Sequence, residues 1–531
     1  MTFLRKTFVN YAPIFLLAPF SLSLGLYIFR NIEVLTKEEN LPFFYFYIFF
    51  SIFPLYFILF RSRQDLGNEV LEITRKFFER FSENRWIYIA IAAVFSIFFL
   101  YVASIHISTY YERDQWILEN SIPILPIDLI LTPRLALALS LFTPIDIAIP
   151  LLNLFFILIW FAFLLYVNSG EGHSWVVLFL VFISTFFTGV LYLTQYATFE
   201  FPTALLSFIG LYGIWRRKFS IGLVLLFIGG VLKNTGIFHV ATGGVLLLFV
   251  LYQDGLSKGS FKKLDFSLLF FLGIFFILNH WGSFYYIFVF QKGPGYLVSV
   301  STDKIFWLSS FVTFIKYLGL GNSVVFIFGL TGACMVKRVR LFALLSMGVL
   351  MFLRCFSRLA DGGYASIFVA GLSFFSIYGV SYILNFFRKE WSKNLLIILL
   401  ICFNAFWLYR VLSRFPAGMN RLNSNFDEFI EKIASDFPVD GRIYQRQISL
   451  VPYLREHGRN NIDDIEFDLY PELKESVLAS LSEPGCRLII MPRGELDITE
   501  SELLEMDYSQ YPFELVDRSG LWVAYSRSCA K

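Results

Sequence analysis

Two carboxylates flank a cation at Glu112-Arg113-Asp114, a few residues beyond the apolar stretch Ile87–Ile107. An ionisable group at membrane depth is costly unless it faces water, a partner or a substrate, so position alone makes the triplet a candidate site. A carboxylate beside a hydroxyl takes its proton as a general base. A pair of carboxylates holds a divalent cation. Spacing governs how the two acids cooperate: on a helix they diverge by about 200°, whereas in an extended segment they share a side. Either both act together, or one reacts while the other organises the loop. The bland alternative is a solvated charged loop, which is common at protein surfaces.

The surroundings of the triplet add to its chemistry. Tyr110, Tyr111 and Trp116 present rings that stack on the apolar face of a sugar, or that sit as an aromatic belt at the membrane–water boundary. His106 titrates near neutrality if free, or is simply hydrogen-bonded at a helix end. Further along stand Arg134, Lys233 in V-L-K-N-T-G, and Arg358 in R-C-F-S-R-L-A-D-G-G-Y. Each is a candidate phosphate ligand; each also fits an interfacial anchor whose charged head reaches the surface. With Arg113 between the acids and basic groups at hand for phosphate, a metal-free site is favoured over a divalent cation at Glu112 and Asp114.

Long apolar elements must position these residues. Of 531 residues, 57% are hydrophobic and 16% charged, with a mean hydropathy of +0.64. Soluble domains carry about a quarter charged residues, so the chain reads as an integral membrane protein. A net charge of +3 is too small to suggest nucleic acid as a partner. Aromatics reach 19%, chiefly Phe, which suits lipid-facing surfaces.

Candidate spans are Tyr11–Arg30, Pro42–Phe60, Ile87–Ile107, Pro144–Val167, Trp175–Leu193, Phe201–Trp215 and Phe219–Leu232. They continue with Gly236–Tyr252, Leu264–Asn279, Phe311–Val336, Leu341–Leu353, Tyr364–Phe387 and Asn394–Leu412. That makes about thirteen transmembrane helices, the short ones tilted or tucked inside the bundle. Arg5 and Lys6 precede the first span without an evident small-residue cleavage site, as in an uncleaved anchor.

Lys and Arg concentrate in alternate loops, notably Arg61–Arg85, Arg216–Lys218, Lys258–Lys263, Lys337–Arg340 and Arg388–Lys393. By the positive-inside rule these face the cytoplasm. The N-terminus is then inside, while the acidic triplet and everything after Leu412 lie outside. Residues 1–61 form a two-helix extension, 62–86 an amphipathic segment, and 87–412 the membrane core with its outer loop 108–143. In Ser62–Arg85, Leu66, Val70, Ile73, Phe77 and Phe81 recur at helical spacing. The segment reads as a helix on the cytoplasmic interface or as an ordinary linker helix.

From 413 to 531 the composition turns polar and reads as a small α/β domain. Helices are expected at Phe426–Phe437, Leu450–His457 and Pro471–Leu481, and strands at Arg442–Arg446 and Arg487–Met491. A hairpin is expected from Phe513–Val516 and Leu521–Tyr525 around Arg518-Ser519-Gly520. Cys334, Cys355 and Cys402 sit in apolar stretches as packing residues, whereas Cys486 and Cys529 could pair if the tail faces an oxidising compartment. No internal repeat is apparent, which weighs against common transporter architectures. No phosphate-cradling glycine motif marks an ATP-driven pump.

Taken in order, these features resemble the glycosyltransferase-C superfamily, whose members carry D-x-D, E-x-D or adjacent acidic variants on an outward loop after a span. Glu112-Arg113-Asp114 fits the E-x-D form. The run T-P-R-L-A-L-A-L-S-L-F from Thr132 is similar to the proline-bearing stretch before the second core helix of that family. The segment E-F-P-T-A-L-L-S-F-I-G-L-Y-G-I-W-R-R-K from Glu200, followed by G-L-V-L-L-F-I-G-G-V-L-K-N-T-G, looks like the hairpin of the protein mannosyltransferase and aminoarabinose transferase-like branch. The resemblance covers about Trp86 to Lys531. Two departures stand out: the helices before Arg61, and acids that flank Arg113 where the nearest branch has them adjacent.

The resemblance implies an inverting transfer of sugar from a polyprenyl phosphate to a cell-envelope glycan, lipid or protein; the Phe-rich composition and apparent lack of retention signals suit a bacterial inner membrane, with the eukaryotic ER as the alternative. It implies Asp114, then Glu112, as the base, with Lys233, Arg358 and Arg134 toward the phosphate and the aromatics toward sugar or acceptor. Two rival functions are carried beside it: an oligosaccharide polymerase or ligase on the same fold, and a transporter or flippase of lipid-linked sugars.

Overall fold

The computed structural model describes residues 63–105, 145–171, 175–186, 200–232, 235–254, 266–279, 323–355, 366–413, 425–438, 441–445, 461–464, 486–492, 514–519 and 522–527, with isolated positions between these runs. Apolar sequence sets the helices. In chain order they are α1 (Arg63–Glu83), α2 (Arg85–Ser104), α3 (Ile145–Glu171), α4 (Trp175–Phe186), α5 (Glu200–Trp215) and α6 (Phe219–Leu232). Then come α7 (Gly236–Gln253), α8 (Phe266–Asn279), α9 (Ser323–Met335), α10 (Lys337–Ala343) and α11 (Val349–Cys355), the last two joined by a π-helical turn, Leu344–Gly348. A 3₁₀ turn, Ser366–Phe368, leads into α12 (Val369–Phe386), followed by α13 (Glu390–Ser413).

Among the described residues, four helical stretches are long and apolar enough to cross a membrane: Arg85–Ser104, Pro150–Val167, Gly236–Gln253 and Val369–Phe386. Four shorter apolar helices pack with them. α6 is buried almost throughout its length, as a helix apolar on every side must be. α2 instead buries Tyr88, Phe95, Phe99 and Val102 on one face and turns Val94, Ile97 and Tyr101 outward. So large an apolar exterior is stable against lipid, not water. The protein is therefore a polytopic helical membrane protein.

Close helix approach depends on small residues. α9 and α12 meet where a Cβ on Gly332 would collide with the Phe375 carbonyl and one on Gly379 with the Phe328 carbonyl. Without a hydrophobic drive between helices in lipid, such backbone contact is what van der Waals packing requires. Buried polar side chains tie four helices together. Trp160 of α3 donates to Ser373 of α12 at 3.3 Å, Thr185 of α4 lies 2.8 Å from the same hydroxyl, and Asn404 of α13 donates to Ser184 of α4 at 2.9 Å.

α1 is strapped to one end of the bundle. Leu66 is buried, and Val70, Ile73, Phe77 and Phe81 pack on the core, as their spacing predicts. Its acids reach the turn between α5 and α6. Glu69 accepts the Ile221 amide at 2.8 Å, capping the first turn of α6 from another helix, where unpaired amides attract a carboxylate. Glu72 pairs with Lys218 at 2.5 Å and Lys76 at 2.9 Å. Hydrogen bonds from those two lysines hold its carboxyl down at about 2, against a smaller opposing push from burial. In the same turn Arg217 adopts a left-handed φ of 59° and grips Asp254, just past α7, with its Nη2 at 2.7 Å.

The tail forms a five-stranded sheet in the order β2-β1-β3-β5-β4, from β1 (Arg442–Gln445), β2 (Ile462–Asp464), β3 (Arg487–Pro492), β4 (Glu514–Ser519) and β5 (Trp522–Arg527). β1 runs parallel to β2 and β3, and β5 lies antiparallel between β3 and β4. α14 (Phe426–Asp436) supplies Phe429, Ile430 and Ile433 to a core shared with Ile443, Leu488 and Ile490. Arg459 donates to the Ala434 carbonyl in the last turn of that helix. The expected hairpin forms as β4–β5. β2 was not anticipated from sequence; it is a three-residue edge strand, I-D-D, with no alternation to read. Cys486 is disulfide-bonded, while Cys334 and Cys402 are free. Cys529 and the segment Pro471–Leu481 lie outside the described residues.

Candidate functional site

Glu112, Asp114, Tyr110, Tyr111, Trp116, His106, Arg134, Lys233 and Arg358 all lie outside the described residues. The elements that flank them are described, and these define where each segment departs and returns. The acidic loop leaves from α2, whose last turn closes at Ile105, and returns through a turn in which Phe142 and Thr143 donate to the Leu139 carbonyl ahead of α3. Tyr88, in the first turn of α2, packs on Phe161 in the far half of α3 at 6.4 Å between ring centres. The start of α3 therefore lies toward the end of α2, and the loop leaves and re-enters at one end of the bundle.

Lys233 falls in the short link between α6 and α7. The helices it joins are in backbone contact: a Cβ on Gly236 would collide with the Gly230 carbonyl, and one on Gly230 would stand 2.6 Å from Val240. Close packing of this kind admits no side chain between the end of α6 and the first turn of α7.

Arg358 falls between α11 and the 3₁₀ turn Ser366–Phe368. Both flanks return to the same three helices. α11 packs on α7, and the 3₁₀ turn packs on α5. The main chain of Ile367 borders the ring of His239, one turn into α7. The structure thus brings the described flanks of the Lys233 and Arg358 segments together around the α5–α6–α7 unit.

His239 is 1% exposed, its imidazole set against the main chain of Ile367 and Thr235. The hydroxyls of Thr203 and Ser207 on α5 are also buried, and they are unpartnered. An unsatisfied buried hydroxyl costs about 1–3 kcal/mol, so each calls for a reason to be kept. Sequence reasoning missed His239. The available signal was an ionisable residue within the apolar run G-I-F-H-V-A, close after Lys233. Among the described residues no group of three His, Cys, Asp or Glu side chains is placed to hold a metal ion.

No family model matches the chain, and no curated protein matches it. Two crystal structures of ArnT from Cupriavidus metallidurans do match in three dimensions. The form bound to undecaprenyl phosphate gives a TM-score of 0.51 at 10% identity, over 82% of this chain and 97% of that one. The apo form gives 0.54 at 11% identity, over 84% and 98%. The chain has the glycosyltransferase-C fold. At such low identity the glycosyltransferase-C fold is what the two proteins share, and their side chains must be argued separately. The match takes in nearly the whole of ArnT.

Proposed function

We propose that the protein is a membrane glycosyltransferase that moves a sugar from a polyprenyl-phosphate donor to a cell-envelope acceptor on the extracytoplasmic side, with inversion at the anomeric carbon. The observation that carries this reading is the likeness to ArnT, a protein crystallised with undecaprenyl phosphate, over almost all of that chain. The junction of α5, α6 and α7 supports it, because the described flanks of two cationic segments converge there.

In this reading Asp114 takes the proton of the acceptor hydroxyl as its oxygen bonds to the anomeric carbon. The bond from that carbon to the phosphate oxygen breaks with its electron pair, leaving polyprenyl phosphate as product. The charge that develops on the phosphate is met by Lys233 and Arg358, with Arg134 nearby, as fixed cations stabilise a leaving group. Glu112 orients the loop or shares the proton. Tyr110, Tyr111 and Trp116 stack on the sugar or on the acceptor. Arg113 lies between the two acids, so the site works without a metal; a divalent cation on Glu112 and Asp114 is the alternative, and turnover in chelator separates the two.

The experiment is turnover of polyprenyl-phosphate sugars by the purified protein. Release of polyprenyl phosphate is expected, and Asp114→Asn should lower kcat by roughly 10²–10⁴-fold without disturbing folding or insertion. Wild-type product from Asp114→Asn would remove Asp114 as the base. Vesicle accumulation of donor without turnover would replace the transferase by a transporter.

A further inference from the structure

One end of the helix bundle is more basic than its acids can neutralise. α9 and α12 run side by side in the same direction. A Cβ on Gly329 would meet the Leu372 carbonyl, one on Gly332 would meet the Phe375 carbonyl, and the Ser376 hydroxyl donates to the Val325 carbonyl at 3.0 Å. Their last turns therefore reach the same end, where Lys337 opens α10 and Arg388 and Lys389 follow α12, with α10 packed on α12. Trp215, the last residue of α5, stacks on Phe342 of α10 at 5.4 Å between ring centres, which brings Arg216 to this end as well. The acids there are already engaged: Glu72 by Lys218 and Lys76, Asp254 by Arg217, and Glu390 by Lys393. Among the described residues no carboxylate pairs with Lys337, Arg388 or Lys389, and all three are exposed.

Just past these cations α13 turns an apolar strip outward. Trp391 is 64% exposed, and Leu395, Ile398 and Leu399 follow it on the same helix face, all exposed. Cations at the head of an apolar strip, with an aromatic ring at the boundary, match the two parts of a phospholipid. We propose that this end of the bundle binds an anionic phospholipid of the adjoining leaflet, its headgroup phosphate on Lys337, Arg388 and Lys389 and its acyl chains along Trp391, Leu395, Ile398 and Leu399. On the positive-inside reading that leaflet is the cytoplasmic one. Unneutralised fixed cations favour a headgroup of net negative charge over a zwitterionic one, and each cation near the surface adds to the preference. The acidic loop departs from the other end of α2, so the lipid site takes no part in the proposed transfer and does not rest on it.

The test titrates full-length protein in detergent with phosphatidylglycerol or phosphatidylcholine of the same chains, and reads bound lipid by native mass spectrometry. Phosphatidylglycerol should bind at least roughly tenfold more tightly, since each cation contributes roughly fivefold. Replacing Lys337→Gln, Arg388→Gln and Lys389→Gln together should remove the preference. Exchanging the same positions as Lys337→Arg, Arg388→Lys and Lys389→Arg should preserve it. A phosphatidylglycerol with a photoreactive chain should label wild-type protein between Trp391 and Leu399, a readout that does not depend on whether the variants fold. Glycerol phosphate, the headgroup without chains, should not displace the lipid. Equal binding of the two lipids by wild-type protein overturns the proposal, as does a preference that survives the glutamine variant or labelling confined to other helices. Displacement by glycerol phosphate would also overturn it, in favour of a site for soluble anions. None of these outcomes bears on turnover of polyprenyl-phosphate sugars, so the two readings fail separately.

Discussion

At the residue scale the candidate site divides into groups that react and groups that hold. A general base needs one well-placed carboxylate, and the triplet offers two. Phosphate stabilisation needs positive charge at a fixed point, and Lys233 follows directly on α6, which packs backbone-close on α7. Removing it should therefore harm the chemical step more than donor binding. Lys233→Met is expected to lower kcat by roughly 10²–10³-fold, the usual effect of losing one fixed transition-state donor, with a smaller change in KM. Steady-state kinetics on a polyprenyl-phosphate sugar checks this. A raised KM at unchanged kcat would show that Lys233 binds ground and transition states alike.

At the element scale the strap formed by α1 makes a prediction of its own. Glu72 is held at about 2, below its ordinary 4.5, by Lys218 and Lys76. A carboxylate depressed in the folded state adds stability that is fully present above its unfolded pKa and disappears as pH falls through the folded one. Melting temperature should accordingly decline between about pH 4.5 and about pH 2, and Glu72→Gln should flatten part of that decline. The pair is partly exposed and screened, so the gain above pH 5 is modest. Identical pH profiles in both proteins would detach Glu72 from the strap.

The elements also show what was legible in the sequence. The bounds of α6 coincide with the expected Phe219–Leu232 because cations stand at both ends of a purely apolar run. The amphipathic residues of α1 point where their spacing placed them. The π turn at Leu344–Gly348 and the edge strand β2 were not legible, since neither has a periodicity of its own. Glu112 and Asp114 were legible as candidate chemistry, and both lie outside the described residues. The approach of the flanks of the Lys233 and Arg358 segments depends on glycine contacts and on a 3₁₀ turn that pairwise spacing does not encode.

At the scale of the whole molecule, the question is which way it faces. The proposed transfer from a polyprenyl phosphate to an envelope acceptor requires the acidic loop on the outer side, and the charge pattern leads us to expect the tail domain there too. Cys486, in that domain, is disulfide-bonded, as suits an oxidising compartment, while Cys334 and Cys402 in the helical region remain free. This allows a topology test with no change to the site. In a variant with Cys334, Cys355 and Cys402 replaced by Ala, a membrane-impermeant maleimide should label nothing on intact cells. After a membrane-impermeant reductant, the same reagent should label the tail. A tail facing the cytoplasm would stay unlabelled under both conditions until the cells were permeabilised. That outcome would reverse every helix, and place Glu112 and Asp114 on the side where the acceptor is not.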